Sequence, residues 1–335
     1  MKRSLMKPWR FHIADHHPTV SKSLALPSGN YTLKIVVGGP QGVGLIRAWP
    51  RRLLRLHNNT HADARCELCC AVHVRDKTLD LEFSGNLRFG EPIIHPAPRI
   101  STVFIAGDST VCDQVNAPWC CWGQMLPCFL NAGIAVANYA KSGTASKTFP
   151  RRSILHRLRA GDFLLVQFAH NDQKAGFGHT EPFTTYKQSL CIYIEGARSK
   201  GAIPILVSPV HRAIFDENGE FQNSLGDYPE AVRQLATEKQ VPLVDLSARS
   251  EEFIRLSGPH GAKLITVNSP PGRWPKYPDG IASRSHHSEY GAFELAKCVA
   301  REIRRNVSGL GGHVLDVPPT NLQPRLIGQW EAQYY

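Results

Sequence analysis

The sequence predicts an α/β protein: a three-layer α/β/α sandwich around a parallel sheet, preceded by a small β-sandwich. Three observations carry this expectation. Residues 1–98 hold short apolar and β-branched segments between turn signals, with no helical period of any length. Residues 99–305 alternate apolar runs with stretches of helical spacing. Residues 306–335 show no pattern and read as an irregular C-terminal tail.

The first part contains "YTLKIVVGG", "CCAVHVRD" and "TLDLEFSG", separated by turn signals such as "PSGN" and "GGPQG". These suit short antiparallel strands, and the segment reads as a β-sandwich with carbohydrate binding as one use for it. "PIIHPAPRIS" follows, with three prolines in ten residues, and reads as a linker. Beyond it lie "TVFIAG", "IAVANYA", "FLLVQFA", "IPILVS" and "VPLVDL", each followed by helical spacing. "TYKQSLCIYIEGARSKG" and "YPEAVRQLATEKQ" are two such stretches. "EYGAFELAKCVAREIRR" closes the series, with Ala292, Ala296, Val299 and Ile303 on one stripe. Near-continuous apolar strands alternating with amphipathic helices specify a parallel sheet covered on both faces. Ligands gather at the carboxyl ends of such strands.

At 335 residues the chain is long for one core, so two domains are expected. Hydrophobic residues make up 42% and charged residues 20%, the balance of a water-soluble globular protein. No run approaches the ~18 apolar residues of a membrane span. The start, "MKRSLMKPWRFHIADHH", is basic without the apolar stretch of a signal peptide. Nine scattered cysteines, an odd number, read as reduced thiols, and the expected location is the cytoplasm. The net charge of +11, with Arg51, Arg52, Arg55, Lys141, Lys147, Arg151 and Arg152 loosely clustered, attracts polyanions as a class. Nucleic acid is disfavoured, because the chain lacks the aromatic–basic interleaving of single-strand binders and any recognisable module.

"FIAGDSTVCDQ" ends an apolar strand abruptly at Gly107, Asp108 and Ser109. Acyl transfer needs an exposed hydroxyl, a base for its proton and donors facing the oxyanion. Alone, a serine there is as well explained as a turn or cap residue. Two further loops supply partners. "NYAKSGTASKTF" places Gly143 among small residues, and "VQFAHNDQK" ends in Asn171, whose amide can donate. "SHHSEYGAFELAK" sets His286 before the last helix.

The order of these four segments resembles the SGNH (GDSL-type) hydrolases over roughly residues 100–305. The wording of "FIAGDSTVCDQ", "VQFAHNDQK", "LVSPVHR", "LGDYPEAVRQLA" and "HHSEYGAFELAK" is similar to the rhamnogalacturonan acetylesterase group. The resemblance implies Ser109 as nucleophile and His286 as general base. It also implies an oxyanion hole from the Ser109 and Gly143 backbone and the Asn171 side chain. It implies no cofactor and no metal. The substrate would be an acetylated acidic oligosaccharide of pectic origin, cleaved at an O-acetyl ester.

Three departures from the family pattern stand out. The aspartate of a D-x-x-H motif is replaced by Ser283; Asp279, seven residues before His286, is a second candidate for its role. The glycine of the G-x-N-D block is Ala169, and Thr144 follows Gly143 where many members have arginine. A degenerate hydrolase that binds acidic carbohydrate with little turnover is therefore the alternative. His57, His61, Cys66 and Cys69 resemble zinc-ligand pairs, but four residues between His61 and Cys66 are too few for the usual ~12-residue connection. Trp119, Trp122, Leu126 and Phe129 lie at helical spacing and are expected to bury, with one tryptophan available to stack on a sugar. His287 is expected to be a packing or surface residue. Sugar identity, ring position and oligomeric state are not encoded in any motif.

Overall fold

The computed structural model describes residues 10–14, 17–62 and 64–318. These fall into two compact units. One runs to Thr102 and includes Pro127–Ala137; the other comprises Val103–Leu126 and the residues from Asn138 onward.

Alternation of apolar and polar residues builds the first unit. Its strands are β1 (Arg10–Ala14), β2 (His17–Ala25), β3 (Gly29–Gly38), β4 (Gly42–Ala48), β5 (Arg52–Asn59), β6 (Arg65–Val74), β7 (Thr78–Gly85), β8 (Arg88–Phe89) and β9 (Ile93–Pro96). One antiparallel sheet runs β1-β2-β7-β4-β5, and a second runs β6-β3-β8 with β9 also on β3. In β3, Tyr31, Leu33, Ile35 and Val37 are buried while Lys34 and Val36 face solvent, the two-residue period of a half-buried strand. Leu79, Leu81 and Phe83 repeat it in β7. With Ile46, Leu54 and Val72 they form one hydrophobic cluster.

Two expectations are corrected here. The proline-rich stretch is not a plain linker, because Ile93–Pro96 pairs with Tyr31–Lys34. Proline is tolerated there because β9 is an edge strand and Pro96 is its last residue. Arg55 is not part of the surface charge. It is buried, and its guanidinium donates to the carbonyls of Cys69 (2.9 Å), Pro127 (3.1 Å) and Leu130 (2.8 Å). The near-zinc arrangement reduces to a contact of 3.4 Å between Cys66 Sγ and His57 Nε2.

The parallel sheet consists of β10 (Ser101–Gly107), β11 (Ile134–Asn138), β12 (Phe163–Gln167), β13 (Ile203–Val207) and β14 (Leu243–Val244), in the order β11-β10-β12-β13-β14. The registered pairs are parallel, Ile105 beside Leu165 and Leu165 beside Ile205. Every residue of β11 and β12 is buried, as helices on both faces require. The helices are α1 (Trp122–Met125), α2 (Arg152–Leu155), α3 (Lys187–Arg198), α4 (Tyr228–Glu238), α5 (Leu246–Ile265) and α6 (Glu289–Asn306). α3 packs on β12 and β13, α4 on β13, and α6 on β14. Ala292, Ala296, Val299 and Ile303 of α6 are all buried.

An antiparallel hairpin, β15 (Thr266–Ser269) with β16 (Ile281–His287), joins α5 to α6 and carries His286. α5 breaks at Gly258, whose φ of +63° suits glycine, and Pro259 follows. Of the stretch expected as an irregular tail, the described part to residue 318 is anchored: Val307, Leu310 and Val314 are buried. Residues 319–335 lie outside the described residues.

Candidate active site

Ser109 sits where β10 ends. A Cβ on Gly107 would lie 2.7 Å from Val111 Cγ2 and 2.9 Å from the Gln167 carbonyl, so only glycine lets the chain turn this close to β12. Asp108 is fully buried and stiffens the turn: its Oδ1 accepts from the Thr110 N–H and hydroxyl, both at 2.8 Å. Gln167 Nε2 donates to that hydroxyl at 2.8 Å, and Trp122 Nε1 donates to Gln167 Oε1 at 2.9 Å. The Ser109 carbonyl accepts from Cys121 Sγ at 2.9 Å and Gln114 Nε2 at 3.3 Å. With its backbone held, Ser109 places Oγ 3.0 Å from Nε2 of His286.

His286 is the penultimate residue of β16. Cys120 N–H donates to the His287 carbonyl at 3.0 Å, which brings the preceding loop against the strand. Trp119 then meets the imidazole edge-on, with ring centroids 5.5 Å apart, and donates through Nε1 to Tyr277 Oη at 2.7 Å. Ser283 does not support the ring. Its Oγ accepts from the backbone N–H of His286 (3.0 Å) and of Ser285 (3.3 Å). Asp279 is exposed in the turn before β16 and makes no hydrogen bond to His286. Among the described residues, Nδ1 of His286 has no hydrogen-bond partner. Burial holds the His286 pKa below the ordinary histidine value, opposed by the negative charge of Asp108 and reinforced by Lys174 and Arg212. Burial in turn raises the Asp108 pKa. His287 is buried and pushed down to about 3, a packing residue held neutral.

Gly143 has φ of +79°, and a Cβ there would meet nothing within 4 Å, so its backbone faces open space. Among the described residues, neither the Ser109 nor the Gly143 N–H donates to a protein acceptor. Asn171 Nδ2 donates to the Thr144 carbonyl at 3.0 Å, and Lys174 Nζ donates to Asn171 Oδ1 at 2.8 Å. These two bonds fix which way the amide faces and leave one N–H of Nδ2 available. Asp172 ties the Gly143 loop to the Asn171 loop: it accepts from the Ser146 N–H at 3.0 Å, from the Ser146 hydroxyl and from Thr180 Oγ1 at 3.1 Å. Burial lifts its pKa to about 6. The Thr144 hydroxyl turns inward to the Lys141 carbonyl at 2.8 Å.

Ala169 adopts φ of +137°, a region that non-glycine residues occupy at a cost of about 1–3 kcal/mol. Alanine in place of the family glycine therefore carries backbone strain at this position. Sequence reasoning did not single out Lys174 or Asp172, although both lie in the quoted "HNDQK". Spacing carries no sign of which loop a buried carboxylate will bind.

The GDSL-like Lipase/Acylhydrolase family profile matches residues 105–279. Rhamnogalacturonan acetylesterase RhgT of Bacillus subtilis (strain 168) is 41% identical over 219 residues, 64% of this chain and 94% of that protein. A second protein of that strain, described as probable rhamnogalacturonan acetylesterase YesY, is 39% identical over 211 residues, 60% of this chain and 92% of its own. In fold, the chain is similar to the crystal structure of the Bacillus subtilis protein YxiM, with a TM-score of 0.54, 23% identity, and coverage of 86% and 84% of the two chains. The chain belongs to the GDSL-like lipase/acylhydrolase family of ester hydrolases.

Proposed function

We propose that the chain is a serine esterase that removes O-acetyl groups from a pectin-derived, rhamnogalacturonan-type oligosaccharide. The observation that carries this is the 3.0 Å approach of Ser109 Oγ to His286 Nε2; the Ser109 and Gly143 backbone N–H groups and the second Asn171 amide N–H are available as donors. In this reading Oγ attacks the acetyl carbonyl as His286 takes its proton. The new oxyanion is stabilised by the two backbone N–H groups and the remaining Asn171 N–H. Collapse breaks the ester bond, His286 protonates the leaving sugar oxygen to give the free hydroxyl, and acetyl remains on Ser109. Water, deprotonated by His286, then releases acetate. Every group used belongs to this chain or to water.

The substrate reading is supported by the two Bacillus subtilis relatives, a rhamnogalacturonan acetylesterase and a probable one, and by the positive charge of the chain. The unpartnered Nδ1 supports a second reading, a site of low turnover, because a base without a carboxylate stabilises its imidazolium poorly. The two antiparallel sheets of the first unit are read as a β-sandwich domain preceding the esterase domain, and Trp49, 55% exposed, is the ring it offers a sugar. Acetate release from acetylated rhamnogalacturonan oligosaccharides, compared with acetylated neutral xylo-oligosaccharides, tests the proposal. Preference for the former is expected. Equal rates would remove the pectic assignment, and no release from either would favour the low-turnover reading.

A further inference from the structure

Phe177 is 87% exposed, more than any other large apolar side chain among the described residues. It does not stand on a loose segment. Lys174 N–H donates to the Asn171 carbonyl at 3.3 Å, His179 N–H to Gly176 at 3.0 Å and Thr180 N–H to Asp172 at 2.9 Å. The adjacent Gly178 packs so closely that a Cβ there would lie 3.3 Å from Ala145 Cβ and 3.7 Å from the Asn171 carbonyl oxygen. The loop that carries one oxyanion donor, Asn171, thus holds an aromatic ring in solvent six residues further on. The facing loop, which carries Gly143, sends out Lys147, whose Nζ lies 5.7 Å from the Phe177 ring centroid. Lys147 is exposed, and among the described residues no carboxylate lies within ion-pair distance of it. Lys174, three residues before Phe177, adds a second positive charge.

From this arrangement we infer a subsite for a uronate-bearing sugar, formed by Phe177 and Lys147 at the outer edge of the two donor loops. The inference rests on the esterase reading above and names the feature of the substrate that is recognised. An aromatic ring offers its face to the C–H surface of a pyranose, and an unpaired ammonium beside it offers the partner for a carboxylate. The rings of Trp119 and Tyr277 are engaged instead with His286 and with each other.

The test compares kcat/KM of the parent, Phe177→Ala, Phe177→Trp and Lys147→Met on three substrates: an acetylated uronate-containing oligosaccharide, its carboxyl-reduced counterpart and a small chromogenic acetyl ester. Phe177→Ala should lose about tenfold on both oligosaccharides, a factor equivalent to ~1.4 kcal/mol, and nothing on the small ester. Phe177→Trp should retain activity. Lys147→Met should lose a similar factor on the acidic oligosaccharide alone. Unchanged oligosaccharide kinetics, or an equal loss on the small ester, would overturn the subsite. A parent that cleaves the small ester but neither oligosaccharide removes both subsite and substrate reading, while leaving the Ser109–His286 pair intact. If the parent cleaves nothing, calorimetric titration with the acidic oligosaccharide decides: binding that Phe177→Ala abolishes upholds the subsite, and absence of binding overturns it.

Discussion

Nε2 of His286 stands 3.0 Å from Oγ of Ser109, while the opposite ring nitrogen has no hydrogen-bond partner among the described residues. The proposed base is therefore aimed at the proposed nucleophile but unsupported behind. The position three residues earlier, where the family pattern has aspartate, is occupied by Ser283. Its hydroxyl is spent on two backbone N–H groups.

An aspartate at 283 can accept the same two N–H groups with one oxygen and present the other to the ring. Ser283→Asp should therefore raise kcat at pH 7 by at least tenfold with KM nearly unchanged, since the effect falls on the chemical step. Steady-state kinetics on a chromogenic acetyl ester measure this. A variant that folds normally and gains nothing would mean that Nδ1 needs no carboxylate.

The ring must be neutral to take a proton, so its pKa sets the acid limb of kcat/KM. Burial lowers that pKa from the ordinary ~6.5, so the limb should fall below pH 6.5 and activity should persist into mild acid. Ser283→Asp should move the limb upward, because a carboxylate stabilises the imidazolium. A pH–rate profile with the parent limb above 6.5 would contradict the burial argument.

Asn171 and Lys174 should act as a pair. Asn171→Ala should cost about 10²–10³ in kcat, the usual effect of removing one oxyanion donor. Lys174→Met removes the bond to Asn171 Oδ1 but not the donor itself. It should lower kcat by a smaller factor and have almost no further effect in the Asn171→Ala background. Additive losses in a double-mutant cycle would separate the two residues.

Relief of strain at Ala169 gives a stability test. Ala169→Gly should stabilise the fold by about 1 kcal/mol, the strain relieved less the extra entropy of an unfolded glycine. Denaturant unfolding reads this directly, and a loss of stability would show that the φ of +137° is not strained.

Much of the catalytic half was legible because its signals are local. Buried parallel strands leave continuous apolar runs such as "FLLVQ", and α6 shows its buried stripe openly. Ser109, Gly143, Asn171 and His286 stood out because each follows a strand or precedes a helix in a short motif. The β15–β16 hairpin did not, since "TVNS" and "IASRSHH" lack apolar alternation; the helical spacing after "VPLVDL" was visible, but the break in α5 at Gly258 and Pro259 was not. β9 was hidden by prolines that an edge strand tolerates. Arg55 counted as surface charge because burial of an arginine depends on carbonyls distant in sequence. The same holds for Asp172, whose Ser146 partner lies 26 residues away.

The central claim is that Ser109 is a nucleophile activated by His286. Labelling of the intact protein with an organophosphonate that reacts with activated serines, read by peptide mass spectrometry alongside residual esterase activity, tests it most directly. The expected result is one adduct per chain, on Ser109, with activity lost in proportion and no labelling of Ser109→Ala or at Ser109 in His286→Ala. Full activity in a protein labelled at Ser109, or an inactivating adduct on another residue, would contradict it.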